Sequence, residues 1–175
     1  MILAAYHDRP CMEENQGTIT EEEAAFLYGL ALTVRPRCIA EVGTGWRRSL
    51  RAFVQAADQL KAQFSWDCRV WSCDTDKGRY DAAREACGGA NLVHGDSSAL
   101  ADIVQPAPEL VFIDGDHTEK AIERDFFELR DIAAPGCVFV FHDTALVFNA
   151  APAAFAKKIG AILLPTPRGM ALLVS

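Results

Sequence analysis

Five short clusters carry residues that could do chemistry: Glu41-Val-Gly-Thr-Gly45, Asp74, Gly95-Asp96-Ser97, Asp114-Gly-Asp-His117 and His142-Asp143. Each ends an apolar run or lies just beyond one. Glycine has no β-carbon, so a glycine turn lets the backbone approach a ligand closely. An acid at the end of the next apolar run can accept hydrogen bonds from ribose hydroxyls. Glycine turn first and acid second is the layout of a site for a nucleoside cofactor. The last two clusters pair carboxylates with imidazoles. Such groups hold metal ions or move protons near neutral pH.

The surrounding pattern supplies the elements that position these clusters. Residues 37–42 read as a buried strand, and Leu50, Phe53, Val54, Ala57 and Leu60 follow at helical spacing. The glycines therefore lie at a strand-to-helix turn, where open α/β sheets bind ligands. Upstream, Thr20-Glu-Glu-Glu23 is a capping box for a helix striped by Leu27, Leu30, Ala31 and Val34, which Pro36 stops. Downstream, the pattern predicts strands over 68–73, 91–94, 109–113 and 137–141. A helix over about 77–86 ends at Gly88-Gly89. A second capping box, Asp116 to Glu119, opens a helix with Ile122, Phe126, Leu129 and Ala133 on one face, and Asp76 is the expected cap of the helix before it. A further helix spans about 145–158, with Pro152 near its start or kinking it. Strands over 161–164 and 170–174 close the chain. Alternating strands and helices imply a parallel sheet covered on both faces. The link Pro165-Thr-Pro-Arg-Gly169 is too short for a crossover, so the last strand runs antiparallel to its neighbour.

A chain of 175 residues fits one domain, residues 1–175. No apolar run approaches the roughly 20 residues of a membrane span. The N-terminus lacks the basic start and long apolar stretch of a signal peptide. The net charge of −7 argues against a nucleic acid as partner. Six cysteines without a C-x-x-C pair suit a reducing, cytoplasmic setting better than a disulfide framework or zinc site. Cys38, Cys73 and Cys137 fall in predicted core strands, where cysteine acts as a small hydrophobe.

In this order, the segments resemble the class I S-adenosylmethionine-dependent methyltransferases over residues 18–175. The family's first motif, an acid followed by G-x-G, is matched by Glu41, Gly43, Thr44 and Gly45. Arg47 stands where a third glycine often lies; it can meet the cofactor's carboxylate or face solvent, and Arg48 is expected to face solvent. The resemblance implies a three-layer Rossmann-like α/β sandwich, its seven-stranded sheet mostly parallel with a terminal antiparallel strand. It assigns ribose binding to Asp74, whose other reading is a solvated acid or cap. It assigns the adenine amino group to Asp96 and the ring to the Ser97 amide, and either residue can also cap a short helix.

The block Phe112-Ile-Asp-Gly-Asp-His117, with His142-Asp143 after the next strand, resembles a small-molecule methyltransferase subfamily. That subfamily is related to the metal-dependent catechol and caffeoyl-coenzyme A O-methyltransferases. In those enzymes an acid after strand four and an acid-acid or acid-amide pair after strand five bind magnesium. A basic residue three positions beyond the first acid removes the substrate proton. On that pattern Asp114 is the first acid, His117 the base, and Asp114, His142 and Asp143 the metal set. Imidazole departs from the pattern and suits manganese, iron, nickel or zinc better than magnesium. So the ion is magnesium or manganese, or His142 points elsewhere and no metal is held. Other readings stay open. Asp114 can shape the cofactor pocket alone, Asp116 can cap a helix, and His117 can bond a backbone carbonyl. Trp46 can line the pocket or pack on the core. His7 and His94 are expected to be bland.

The implied function is methyl transfer from S-adenosylmethionine to a hydroxyl of a small molecule. The chain lacks the N-P-P-Y type motif of amino-methylating enzymes. A non-catalytic S-adenosylmethionine-binding module is the alternative. An NAD-dependent dehydrogenase is weaker, because G-x-G-x-x-G fails at Arg48 and Asp74 comes late. No membrane partner is expected. Residues 1–17, flexible or pocket-covering, or a partner subunit at the terminal hairpin edge of a homodimer, would cover the site.

Overall fold

Thr20 opens the first helix as its sequence predicts. Its hydroxyl accepts from the Glu23 amide (3.2 Å), and the Glu23 carboxylate accepts from the Thr20 amide (2.9 Å). The structure, a computed structural model, describes residues 19–145 and 150–175. Helix α1 (Glu21–Val34) ends at Arg35, whose backbone turns left-handed before Pro36. Then follow β1 (Cys38–Val42), α2 (Arg48–Phe64), β2 (Arg69–Asp74), α3 (Lys77–Ala86), β3 (Ala90–His94) and the short α4 (Ser97–Ala101). The second half comprises β4 (Leu110–Ile113), α5 (Glu119–Arg130), β5 (Val138–Phe141), α6 (Ala150–Lys158), β6 (Ile162–Leu164) and β7 (Met170–Val174).

The seven strands form one sheet in the order β3-β2-β1-β4-β5-β7-β6. The first five are mutually parallel, and β7 runs antiparallel to both β5 and β6. This is the expected fold. The strand order reverses between β1 and β4, so the connections leaving their carboxyl ends part to opposite faces and open a crevice there.

Strand periodicity sorts the core into two layers. On one face Ile39, Val70 and Phe112 meet Leu27 and Tyr28 of α1 and Leu50, Phe53 and Ala56 of α2. On the other, Ala40, Val111, Phe139 and Phe141 meet Leu100, Ile122, Leu129 and Phe155. Phe126 anchors that second layer, with ring centroids 5.2, 5.8 and 5.6 Å from Phe139, Phe141 and Phe155. Cys38, Cys73 and Cys137 pack in the same layer. Burial pushes the Cys38 and Cys137 thiols up to about 12, which makes them poor nucleophiles.

Three local expectations change. Thr118, not Asp116, caps α5: its hydroxyl accepts from the Ala121 amide, and Asp116 accepts from the Thr118 amide in the turn before it. The shorter loop from Thr118 reaches its third amide where Asp116 would be two residues too early. Helix α5 stops at Arg130, so Ala133 packs from the following turn. In the predicted 145–158 helix, Ala145 is not helical, α6 begins at Ala150, and 146–149 lie outside the described residues. Pro152 lies within the described part of α6 and is buried. The pocket-covering role given to residues 1–17, together with His7, also lies outside the described residues. No helix among the described residues is long and apolar enough to cross a membrane.

Candidate active site

The glycine turn after β1 is tied to β2. The Gly43 and Thr44 amides both donate to the Cys73 carbonyl (2.9 and 3.1 Å), and the Gly45 amide donates to Asp74 Oδ2 (2.9 Å). Both glycines are left-handed, with φ of +91° and +48°. A β-carbon on Gly43 would lie 2.1 Å from the Asp114 carbonyl oxygen, so only glycine lets β1 and β4 end this close together. Behind the turn, Ser72 donates to Glu41 Oε2 and is joined to the Thr44 hydroxyl, both at 2.6 Å. Glu41 is wholly buried. Burial, helped by the charges of Asp114 and Asp74, pushes its carboxyl up to about 8, so it is protonated at neutral pH. Glu41 therefore braces the turn from inside the sheet instead of facing a ligand, as the sequence reading had it.

Two cavities of about 240 and 250 Å³ flank the turn and share Gly43, Gly45, Asp114 and Gly115 as walls. Asp74 and Asp96 line one of them. Asp74 is buried; its Oδ1 accepts from the Asp76 amide and its Oδ2 from Gly45, and each oxygen keeps a second lone pair. Asp76 caps α3, as expected. Asp96 caps α4 with Oδ1 (3.3 Å from the Ala99 amide) while still lining the cavity, so both of its readings hold geometrically. The buried Ser97 hydroxyl is turned inward and donates to Asp125 (2.6 Å), which leaves only its backbone for a ligand.

Trp46, Arg47, Arg48 and His117 line the other cavity. Trp46 is 39% exposed, so it serves the pocket and not the core. Arg47 adopts a left-handed backbone (φ 71°), the conformation a third glycine would take without cost. Arg48 does not simply face solvent: its Nη1 donates to the Ile19 carbonyl (2.7 Å), fastening the chain that leads into α1. His94 Nε2 donates to the Thr75 carbonyl (3.2 Å), a strand-end contact, and His94 itself lines neither cavity.

The acids and imidazoles after β4 and β5 converge. His117 Nε2 lies 3.3 Å from Asp114 Oδ1 and 3.5 Å from Asp143 Oδ2. His142 Nδ1 lies 3.0 Å from Asp114 Oδ1, and its Nε2 lies 3.2 Å from Glu23 Oε2. A buried imidazole with a carboxylate at each nitrogen carries both protons. Burial works against that charge, but the Asp114 charge and the bonds from Asp114 and Glu23 hold the His142 pKa well above its ordinary value. Burial likewise opposes ionisation of Asp114, yet His142 and His117 keep it below the usual carboxylate range. The hydrogen bond with Asp114 raises the His117 pKa above 6.5, against its partial burial.

Asp143 is buried and takes a bidentate ion pair from Arg168, with Nε 2.6 Å from Oδ1 and Nη2 3.0 Å from Oδ2. Ligand atoms of Asp114, His117 and Asp143 all lie within 4.8 Å of one another. That spacing alone would suit an ion, but the donor set does not. Both Asp143 oxygens serve a guanidinium, and Asp114 Oδ1 serves two imidazoles. His142, expected as a ligand, has both nitrogens engaged by carboxylates. The residues therefore do not fit a divalent metal.

Two members of this cluster escaped the sequence reading. Glu23 was a capping residue only, although its place on the Leu27–Ala31 stripe put a carboxylate on a buried face, where a charge needs a partner. Arg168 sits in the β6–β7 turn, and nothing in its neighbours marks it.

A family profile described as a methyltransferase domain matches residues 40–144. Among solved structures, an O-methyltransferase from Bacillus cereus in complex with SAH is 19% identical, with a TM-score of 0.74 over 91% of this chain and 83% of that one. Cofactor-bound Rv0187 from MTB is 19% identical, with a TM-score of 0.71 over 91% and 82%. The O-methyltransferase TomG from Streptomyces achromogenes in complex with SAM is 18% identical, with a TM-score of 0.69 over the same shares. No curated protein matches the chain. At such identities the structures speak for the fold. The profile covers well over half the chain, from inside β1 through the His142-Asp143 pair, and on that ground the chain belongs to the methyltransferase domain family.

Proposed function

We propose that the protein transfers a methyl group from S-adenosylmethionine to a hydroxyl oxygen of a small molecule, with His117 as general base. The observation that carries this reading is the shared wall of Asp114 and Gly115. It sets an acid-lined cavity for the nucleoside against the His117–Asp114 pair. Asp74 accepts from the ribose hydroxyls and Asp96 from the adenine amino group. The turn at Gly43–Gly45 passes close under the amino-acid end. The cavity holding His117, about 240 Å³, is of small-molecule size and supports a small acceptor over a nucleic acid.

Chemically, the acceptor oxygen attacks the methyl carbon in line, the C–S bond breaks, and its electron pair stays on sulfur as S-adenosylhomocysteine (SAH). The hydroxyl proton must leave for the oxygen to be a competent nucleophile. With His117 donating Nε2–H to Asp114, Nδ1 is the atom that takes it. The charges favour this. Glu23, Asp114 and Asp143 are offset by His142 and Arg168 with one negative charge left over, which a proton on His117 neutralises. A divalent ion would remove that advantage, and no step here requires one.

The test is calorimetric titration of SAH into the protein. Binding is expected, and Asp74→Ala should weaken it at least about a hundredfold, the loss of two charge-assisted bonds of about 1.5 kcal/mol each. If neither S-adenosylmethionine nor SAH binds, the reading fails. Once an acceptor is found, kcat/KM should rise with pH through an inflection above 6.5, because His117 must be neutral to act and Asp114 raises its pKa. Asp114→Asn should move that inflection to lower pH. A profile flat from pH 5 to 9 would exclude His117 as the base.

A further inference from the structure

Arg168 lies in the turn between β6 and β7, yet it is held like a core residue. Its fork meets both oxygens of the buried Asp143 at 2.6 and 3.0 Å, the geometry of the strongest charge-assisted pairs. Its own amide donates to Glu23 Oε1 (2.8 Å), and its carbonyl accepts from the Ala145 amide (2.9 Å). On either side, the Thr166 hydroxyl donates to the same Glu23 oxygen (2.8 Å) and the Thr144 amide donates to the Gly169 carbonyl (3.0 Å). A β-carbon on Gly169 would come within 2.2 Å of the Ala145 nitrogen, so the hairpin is pressed against the turn after β5. Asp143 in turn holds a left-handed backbone (φ 54°) that aims its carboxylate at the guanidinium, at a cost its partners must offset.

The three side chains that could otherwise share an ion, Asp114, His117 and Asp143, surround this arrangement. A cation bound there would have to share Asp143 with the Arg168 guanidinium, a like charge held 2.6 and 3.0 Å from the same two oxygens. Lysine could not reproduce this, because a single ammonium would leave one carboxylate oxygen for an ion.

We propose that Arg168 is a positioning residue that stands in for a divalent cation: the guanidinium orients Asp143 beside His117 and keeps metal out of the site. Describing the reaction it serves as methyl transfer rests on the function proposed above; the exclusion of metal does not.

The experiment is a titration of Mn²⁺ followed by electron paramagnetic resonance, on the full chain, for the wild type, Asp143→Asn, Arg168→Met and Arg168→Met/Asp143→Asn. The wild type is expected to show no site tighter than about 1 mM, and Arg168→Met to gain a single site at least about tenfold tighter. The double variant should lose that site. A wild-type Mn²⁺ site tighter than about 1 mM that disappears in Asp143→Asn overturns the proposal. So does a folded Arg168→Met that binds Mn²⁺ no better than the wild type. If circular dichroism shows Arg168→Met unfolded, the wild type and Asp143→Asn decide: equally weak binding supports the proposal, and a site lost in Asp143→Asn sinks it. Because Mn²⁺ is the only probe, these outcomes are read whether or not SAH binds. Failure of the cofactor reading would appear separately, in the SAH titration.

Discussion

His117→Ala should cut kcat by about 10²–10⁴ while leaving SAH affinity within about threefold, the signature of a lost general base. The expectation follows from position. His117 lines the cavity away from Asp74 and Asp96, and it meets the cluster through Asp114 and Asp143. Asp114 keeps its bond to His142 when the His117 imidazole is gone, so the cluster keeps its shape. Single-turnover methyl transfer with and without added imidazole would check the assignment, since the variant leaves a space that free imidazole can enter. Full activity in His117→Ala would mean that the acceptor loses its proton to solvent or to another group.

Gly43→Ala should damage the whole molecule. The added methyl would sit 2.1 Å from the Asp114 carbonyl oxygen, 2.6 Å from its carbon and 3.0 Å from the Gly115 nitrogen. All three are backbone atoms at the end of a central strand, so no rotamer change relieves the clash. The φ of +91° adds a further penalty for any residue with a β-carbon. We expect a loss of about 3–5 kcal/mol in urea unfolding, together with loss of SAH binding, because β4 must retreat and carry Asp114 with it. Gly29→Ala is the control: it lies in α1 with nothing within 4 Å of a new β-carbon, and should be neutral or stabilising by up to about 1 kcal/mol. A Gly43→Ala protein as stable as the Gly29→Ala protein would refute the close approach of β1 and β4.

The elements were legible because burial on both faces of a parallel strand leaves continuous apolar runs, and the helices between them carry clear stripes and caps. Thr20, Asp76 and Pro36 acted locally, and local signals predict local outcomes. The glycine turn and the acids at strand ends were legible for the same reason: their roles follow from where a strand stops. Thr118 displaced Asp116 as a cap because two polar residues two positions apart both qualify, and only the path of the turn decides between them. The charge cluster was half legible. Asp114, His117 and Asp143 could be gathered by motif, but what they do depends on partners far along the chain. Glu23 is 119 residues from His142, and Arg168 is 25 from Asp143. No spacing rule spans such separations, so the sequence suggested a metal where the fold supplies an arginine.

The span matched by the family, residues 40–144, stops at the cluster's edge, and its two counter-charges come from outside it. Glu23 arrives on the helix before that span and Arg168 on the hairpin after it. Excising residues 40–144 would take from the buried His142 imidazolium one of its two carboxylate partners and from the buried Asp143 carboxylate its guanidinium, at a combined cost of several kcal/mol. The smallest transplantable unit is therefore larger than the family's signature. Recombination between relatives, or grafting this charge cluster onto another scaffold, has to move first helix, central block and last hairpin together.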